Sequence, residues 1–576
     1  MNKMTDIDSL SLFSIWAIFG AYLIFLAVAG YYAKRKTKTL NDFMVAGRSI
    51  GPILLGISFG VTYFSAVMVV GGGKYSWNWG LATLWIAGLN TLVGVVMTFV
   101  FFGKRTRALG KHFDSLTVPQ LLGKRYQEKR LQTITAIVQL IFQTIYVISI
   151  YMGLATLLAV VIPATYEVTF IIATVIVGII TIIYLNFGGS HGAILTDAAE
   201  AIIVLVGIVV IFIAGMIAIG GFPGLISGLQ AIEADPTYGL DSGGLTTFPG
   251  NSGLAVIGMV AVTSFGVWGL PQMITRFYTA KEKKTLRWGL VISATWAFAV
   301  AFFAWFNGAI SRVLFQVESP GLFPATDRTS IPYLMLATLP PVFAGVVMAA
   351  ITAASLTTGE KIILMAASSY SIDVYQERTG ASDDKTLKIT RIVSTLVVIF
   401  GVIGSIFVLI YGLGAILDIC MFAWAAMGSV ILVPYILGLF WRKATGKAAV
   451  YSGLIAITVS ILHYFLFYQG GNAFWFGSYP EALGNIASIE WMRIELFGVA
   501  SPIAFTLEAA HPFILCIPVS LVLFVIFSWR DKDGAPPKEF LNEIFSAMKE
   551  EEALPETDLK IPSGKDSPEV SRDRLY

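Results

Sequence analysis

Charge is what this sequence has least of. Only 13% of its 576 residues are Asp, Glu, Lys or Arg, while 56% are hydrophobic. A soluble domain carries about 25% charged residues, so an ordinary water-facing fold is excluded. Cysteine is nearly absent. Cys420 and Cys516 both sit in apolar stretches and read as small buried hydrophobes, with no disulfide framework. The four histidines, His112, His191, His463 and His511, are scattered, and no His-Glu-x-x-His occurs, which removes the metalloprotease pattern. Gly-Lys pairs occur at 73–74, 103–104, 110–111, 123–124, 446–447 and 564–565, but none continues into Ser or Thr. A P-loop, and with it a nucleotide-driven pump, is therefore missing. Alternating strand patterns are absent too, which argues against a membrane β-barrel. The first twelve residues lack the basic segment of a cleaved signal peptide, so the first apolar run is expected to be a retained helix.

Long apolar runs are abundant. Residues 10–32, 168–185, 201–219 and 393–411 are each close to the roughly 20 residues a spanning helix needs. Inside lipid the backbone must bond within its own segment, which leaves helices. The pattern predicts about thirteen spans: 10–32, 50–72, 82–102, 133–160, 167–186, 195–220, 253–277, 287–312, 340–370, 389–411, 415–440, 448–468 and 510–529. Connections on one side hold Lys34, Arg35, Lys36, Lys38 and Arg48, then Lys104, Arg105, Arg107, Lys111, Lys124, Arg125, Lys129 and Arg130. Later ones hold Lys281, Lys283, Lys284, Lys385, Lys388, Arg442, Lys443 and Lys447. On the other side, 221–253 has no Lys or Arg, and 469–509 has Arg493 alone. The positive-inside rule puts the basic side in the cytoplasm, the N-terminus outside and the C-terminus inside. The tail, 530–576, is polar and reads as solvated and largely disordered.

Two spans carry helix breakers. The second holds Gly51, Pro52, Gly56, Gly60 and Gly71-Gly72-Gly73; the seventh holds Gly258, Gly266, Gly269 and Pro271. They stand five spans apart, so spans two to six and seven to eleven read as two halves, each opening on a broken helix. That is the layout of an inverted-repeat transporter, with its site at the midplane. The ninth span adds hydroxyls at Thr357 and Thr358; Ala354, Thr358 and Lys361 share one helix face. These oxygens suit an alkali cation, or simply back-bond to carbonyls one turn earlier. Glu360 and Lys361 lie inside the same apolar run, where a charge costs at least roughly 3 kcal/mol. Asp197 and Glu200, at the head of the sixth span, are their candidate partners. The four form either a structural ion-pair network or one in which Lys361 acts as a built-in cation or proton carrier.

Several stretches resemble the sodium/solute symporter family, which includes sodium/proline, pantothenate, monocarboxylate, iodide and sodium/glucose carriers. They are Asp42-Phe43-Met44-Val45-Ala46-Gly47-Arg48-Ser49-Ile50-Gly51, Gly188-Gly189 with Thr196-Asp197, and Gly269-Leu270-Pro271-Gln272-Met273-Ile274-Thr275-Arg276-Phe277. Ala349-Ala350-Ile351-Thr352-Ala353-Ala354 with Thr357-Thr358, Ser369-Tyr370-Ser371-Ile372-Asp373-Val374-Tyr375 and Gly438-Leu439-Phe440-Trp441-Arg442 follow in order. The resemblance covers roughly residues 15–465. It implies an all-α polytopic membrane protein with a five-plus-five inverted-repeat core. It also implies a co-transported sodium held by the carbonyls of Val61, Phe64 and Ala354 and the hydroxyls of Thr357 and Thr358. Some members bind a second sodium near serines one turn further on; those positions are Glu360 and Lys361 here, and an ammonium would repel it.

For the solute, the resemblance is divided. Proline carriers have an acidic residue where Tyr63 stands and a tryptophan where Thr263 stands, yet Pro271 and its neighbours resemble that branch. The run from Thr62 to Val67 looks more like the iodide and monocarboxylate branch. Candidate pocket residues are Tyr63, Ser65, Trp268, Pro271, Gln272 and Trp424, each of which could equally be packing. The expectation is therefore a sodium-coupled symporter of a small amino acid or organic carboxylate. A proton symporter using Lys361, Glu360 or Asp197 is its rival, and a channel or sensor is the alternative of another class. The expected organisation is a flanking helix in 1–49, repeats over 50–220 and 253–440, an extracellular loop 221–252, flanking helices in 441–529 and the tail 530–576. Partners are the solute, sodium and the lipid of the cell membrane, with no nucleic acid.

Overall fold

The structure, a computed structural model, describes residues 12–21, 48–63, 67–162, 164–187, 189–248, 253–411, 416–466 and 510–552, with single positions 24, 28, 44 and 468. The side chains of 63, 184, 186, 187, 189–199 and 254 lie outside the described set. Among the described residues there is no strand, only one isolated bridge between Ile50 and Ala280. Among the described residues, ten helices are long and apolar enough to cross a membrane, or eleven if a bent pair counts as one span. Two of the thirteen expected spans are described only in part and fall outside that count. The described part of the first is Leu12–Ala21 (α1). The second is described as Pro52–Tyr63 (α2) and, beyond the undescribed 64–66, as the start of Val67–His112, which runs on into the third span.

The remaining helices follow in order. After α2 come a π-helical turn at Val67–Gly71, then Gly72–Trp79 (α3) and Leu84–Leu89 (α4). A π-helical stretch, Asn90–Gly103, leads to Lys104–His112 (α5), and the short Val118–Tyr126 (α6) follows. Lys129–Ala159 (α7), Tyr166–Phe187 (α8) and Gly189–Ala218 (α9) complete the first group, and Gly221–Ala234 (α10) follows. The second group is Gly253–Phe265 (α11), Pro271–Thr279 (α12), Lys283–Val313 (α13), Ser330–Thr338 (α14), Pro341–Tyr370 (α15), Asp383–Tyr411 (α16) and Ile416–Phe440 (α17). Gly446–Leu466 (α18), Pro512–Arg530 (α19) and Lys538–Glu552 (α20) are the last helices among the described residues.

The packing is reciprocal between the two groups. α7 lies against α15; α9 meets α15 as α17 meets α7; α8 lies on α7 as α16 lies on α15. A two-fold axis in the membrane plane generates such exchanges. α17 is buried along its whole apolar window and α15 along most of it, so these two form the centre. Lipid-facing stripes lie on the outer helices: Ile202, Val206, Val210, Ile213 and Ile217 on α9, and Ile392, Leu396, Ile399, Ile403 and Ile410 on α16 are all exposed. Their three- and four-residue spacing puts each set on one face.

Three sequence expectations change here. Gly71-Gly72-Gly73 does not break the second span; helix runs through it from Val67 to Trp79, and residues 64–66 lie outside the described set. The expected loop 221–252 begins with a helix, α10. The tail is not wholly solvated: α20 buries Leu541, Ile544, Phe545 and Met548. These sit at i, i+3, i+4 and i+7, an amphipathic pattern that the tail's high overall polarity concealed. α20 packs on α5, where Arg105 pairs with Glu552 at 2.6 Å and Arg107 with Glu551. Residues 553–576 and 469–509 lie outside the described set.

α2 approaches α13 closely because it presents Gly56 and Gly60, four residues apart. A Cβ on Gly60 would lie 2.7 Å from Trp296 Cε3, and one on Gly56 2.8 Å from the Gly289 carbonyl. Gly60→Leu should therefore destabilise the bundle by about 1–3 kcal/mol, read as a lowered midpoint of thermal unfolding in detergent; an unchanged midpoint would contradict the packing. On the side away from the basic loops, Glu233 accepts from the amides of Gly243, Leu245 and Thr246 and the Thr246 hydroxyl, at 2.7–3.0 Å. Burial alone would raise its pKa; these four donors outweigh that and hold the carboxyl below its ordinary value. A depressed pKa stabilises the folded loop above the unfolded value and loses that as pH falls through the folded one. Amide exchange at Gly243, Leu245 and Thr246 should accelerate on acidification below the ordinary carboxylate range, and Glu233→Gln should remove that acid dependence.

Candidate functional site

The second broken helix is fully in view. α11 ends at Phe265, a 3₁₀ turn covers Gly266–Gly269, Leu270 is extended at φ −80° and ψ 122°, and Pro271 opens α12. The two segments are bent by 45°. Pro271 has no N–H to leave unsatisfied and fixes φ for a helix start, so the break falls where the chain tolerates it best. The start of α2 and the end of α12 are tied by backbone bonds: Ile50 N–H donates to the Thr279 carbonyl and Lys281 N–H to the Ile50 carbonyl, both at 3.0 Å.

α2 is described to Tyr63, and its last described turn carries the Val61 carbonyl. The Val61 carbonyl receives the Thr358 hydroxyl of α15 at 3.2 Å, and the same hydroxyl reaches the Ala354 carbonyl at 2.7 Å. One proton cannot serve both acceptors fully. Three oxygens from two helices thus converge on one point, a hard-oxygen cluster suited to a small cation. Thr357 Oγ1 also reaches the Ala354 carbonyl, at 3.2 Å, but its second contact is the Glu200 carboxylate on α9, at 2.9 Å. Adjacent residues on a helix point about 100° apart, so one hydroxyl faces α2 and the other α9. Both hydroxyls therefore back-bond to the Ala354 carbonyl, and each also reaches a second helix. Phe64 lies outside the described residues.

Lys361, one turn beyond Thr358, is buried and donates to Thr62 Oγ1 at 3.1 Å; Thr62 in turn donates to the Ser58 carbonyl at 2.6 Å. The Lys361 amine thus stands beside Thr62 of α2, one turn along α15 from Thr358. Glu200 and Glu360 are buried as well. The Asp197 side chain lies outside the described residues, as do Ser65 and the side chain of Tyr63.

Of the candidate solute residues, the structure brings two into one polar group. Gln272, on the first turn of α12 after Pro271, accepts from Gln143 Nε2 of α7 at 2.7 Å. Tyr146, on the same face of α7 as Gln143, meets the Trp424 ring edge-on at 5.6 Å. The Trp424 indole N–H and Gln143 Oε1 are both buried without a hydrogen-bond partner among the described residues. A donor and an acceptor left open inside a protein are costly unless something fills them. Trp268 is not brought to this group. Its indole donates to the Val93 carbonyl at 2.9 Å, and its ring packs on Phe102 and Phe265 beside an apolar cavity bordered by α17 and α19. Gln143 went unread in the sequence, although Gln132, Gln139 and Gln143 repeat at helical spacing through an apolar span.

The family model described as Sodium:solute symporter family matches residues 43–456. The chain belongs to that family. It is similar to the osmoregulated proline transporter OpuE of Bacillus subtilis, 26% identical over 77% of this chain and 87% of that protein. It is also similar to the sodium/pantothenate symporter of Escherichia coli, 27% identical over 74% and 86%. Among solved structures, a substrate-bound, outward-open sodium-coupled sialic acid symporter has the same fold, with a TM-score of 0.67 at 19% identity, over 90% of this chain and 97% of that one. Members of the family are transporters and not enzymes, and this one is a polytopic membrane protein.

The Gln143–Gln272 pair generates a test. Gln143→Leu leaves the buried Gln272 carbonyl oxygen without its donor, at a cost of about 1–3 kcal/mol. A lowered unfolding midpoint that Gln143→Glu, protonated at acid pH, restores towards wild type would support the pairing; identical midpoints for all three would contradict it.

Proposed function

We propose that this symporter couples sodium to the uptake of a small organic solute, an amino acid such as proline or a small carboxylate, by alternating access. The observation that carries the reading is the convergence of the Val61 and Ala354 carbonyls and the Thr358 hydroxyl between α2 and α15. Sodium in that position supplies the positive charge that one shared proton cannot, and Thr357 and Phe64 complete its ligands. It joins α2, which packs on α13, to α15, which packs on α7. Those are the two bodies that must move against each other in a rocking transporter.

The solute is read between Gln272, Trp424, Tyr63 and Ser65, with Gln143 orienting Gln272 and Pro271 setting the entry to α12. The open Trp424 N–H faces an acceptor such as a carboxylate oxygen, which proline and pantothenate both carry. Lys361 and Glu200, with Asp197 and Glu360, form a charge network that stiffens the junction. A proton-coupled reading keeps one supporting observation, the buried Glu200 carboxylate on Thr357, and the experiment below separates it. The repeats are taken as 50–220 and 253–440, flanked by 1–49 and 441–529. The basic side is taken as cytoplasmic and the membrane as the cell membrane.

The test is uptake into liposomes of labelled proline, pantothenate and short monocarboxylates, under an inward sodium gradient, a proton gradient, or neither. Sodium should drive uptake of at least one solute. Thr358→Ala, losing one ligand worth about 1.4 kcal/mol, should raise the sodium concentration for half-maximal rate about tenfold. Uptake driven by protons and indifferent to sodium would sink the reading.

A further inference from the structure

On the basic side of the molecule, α19 ends at Arg530 and the chain turns into α20. Between them and the α17–α18 connection lies a cavity of about 730 Å³, within the range of small-molecule sites. Arg442, Lys443, Lys532 and Lys538 line it, with Trp529 and Asn542, and no carboxylate does. Among the described residues, Lys443, Lys532 and Lys538 have no carboxylate within 4 Å, whereas nearby Lys447 has Asp531 at 3.7 Å. Arg442 is fixed in place: one guanidinium nitrogen donates to Asn542 Oδ1 at 2.7 Å, and the group stacks 4.8 Å over the Phe545 ring. A guanidinium has five N–H donors, so most remain for a ligand.

Two further features select the sign and the source of that ligand. Pro536 and Lys538 lie at the N-terminus of α20, a 15-residue helix whose free amides and dipole favour an anion. Trp529 is 64% exposed at the last turn of a spanning helix, where aromatic side chains sit at headgroup level. Four cations gathered without a counter-charge repel one another in an isolated protein, and a bound anion removes that repulsion.

We propose that this cavity binds a phosphate-bearing anion, carried by the headgroup of an anionic phospholipid or by a soluble phosphate ester. Bound there, the phosphate pins the N-terminus of α20. The other end is already held, with Glu552 on Arg105 and Glu551 on Arg107 and, at 3.6 Å, on Lys283. Those residues belong to α5 and α13, whereas Arg442 follows α17. The occupied cavity therefore straps one group of helices to another across the cytoplasmic face.

The experiment measures binding to the purified full-length protein in neutral detergent by native mass spectrometry. The probes are dioleoyl-phosphatidylglycerol, dioleoyl-phosphatidylcholine and glycerol 3-phosphate. Wild type is compared with K443Q/K532Q/K538Q, three exposed positions that leave the fold intact, and with a control variant, K385Q/K388Q, elsewhere on the same side. Phosphatidylglycerol should bind more tightly than phosphatidylcholine. The triple variant should lose about 100-fold in affinity, about fivefold for each charge removed, and the control should lose nothing. If glycerol 3-phosphate binds as tightly and with the same charge dependence, the source is the soluble ester; if only the lipid binds, it is the headgroup. Equal affinity of wild type and triple variant for both anions, or no preference over phosphatidylcholine, would overturn the proposal.

Discussion

The Thr358 hydroxyl stands between the Val61 carbonyl of α2 and the Ala354 carbonyl of its own helix, and much of the molecule is arranged around that contact. In a membrane, polar backbone and side-chain groups are tolerated where protein completes them. Thr358 lies on α15, the helix that also carries Ala354, Thr357, Glu360 and Lys361. The contact is thus a polar junction between α2 and α15, and it is where the proposed sodium would act.

The supports of the junction explain several residues that look out of place in an apolar chain. Lys361 donates to Thr62, next to Val61, and so ties α15 to α2 one turn from Thr358. Glu200 takes the Thr357 hydroxyl and turns it towards α9. Gly56 and Gly60 let α2 lie close on α13, so a change at the tip of α2 is carried by a packed pair of helices rather than by one loose segment. The bonds between Ile50 and the Thr279–Lys281 segment couple the start of α2 to the end of α12. α20 packs on α5 and meets Arg442, which follows α17.

Much of this was legible in the sequence, for a physical reason: lipid imposes an unbroken apolar run on a span and restricts breaks to Gly and Pro. The seventh span shows it well, with the bend at Leu270-Pro271 where Gly266, Gly269 and Pro271 clustered. The second span misled because the same residue type serves two ends. Gly71-Gly72-Gly73 reads as a break but lies inside a helix, and only neighbours in space distinguish the two. Side-chain direction was the other limit. Trp268 and Trp424 look alike in sequence, yet one faces an apolar cavity and the other leaves its N–H open beside Tyr146. α20 was lost to averaging: four apolar residues on one face of a short helix vanish in the composition of a polar tail.

The most direct measurement of the junction is the distance between α2 and α15 by pulsed electron resonance, with spin labels at Ile53 and Tyr370. Both positions are exposed, and the native Cys420 and Cys516 are buried. Sodium in place of potassium should narrow the distance distribution to a single population, and Thr358→Ala should abolish that narrowing. Identical distributions in sodium and potassium would mean that no cation joins α2 to α15 at Val61, and would contradict the account at its centre.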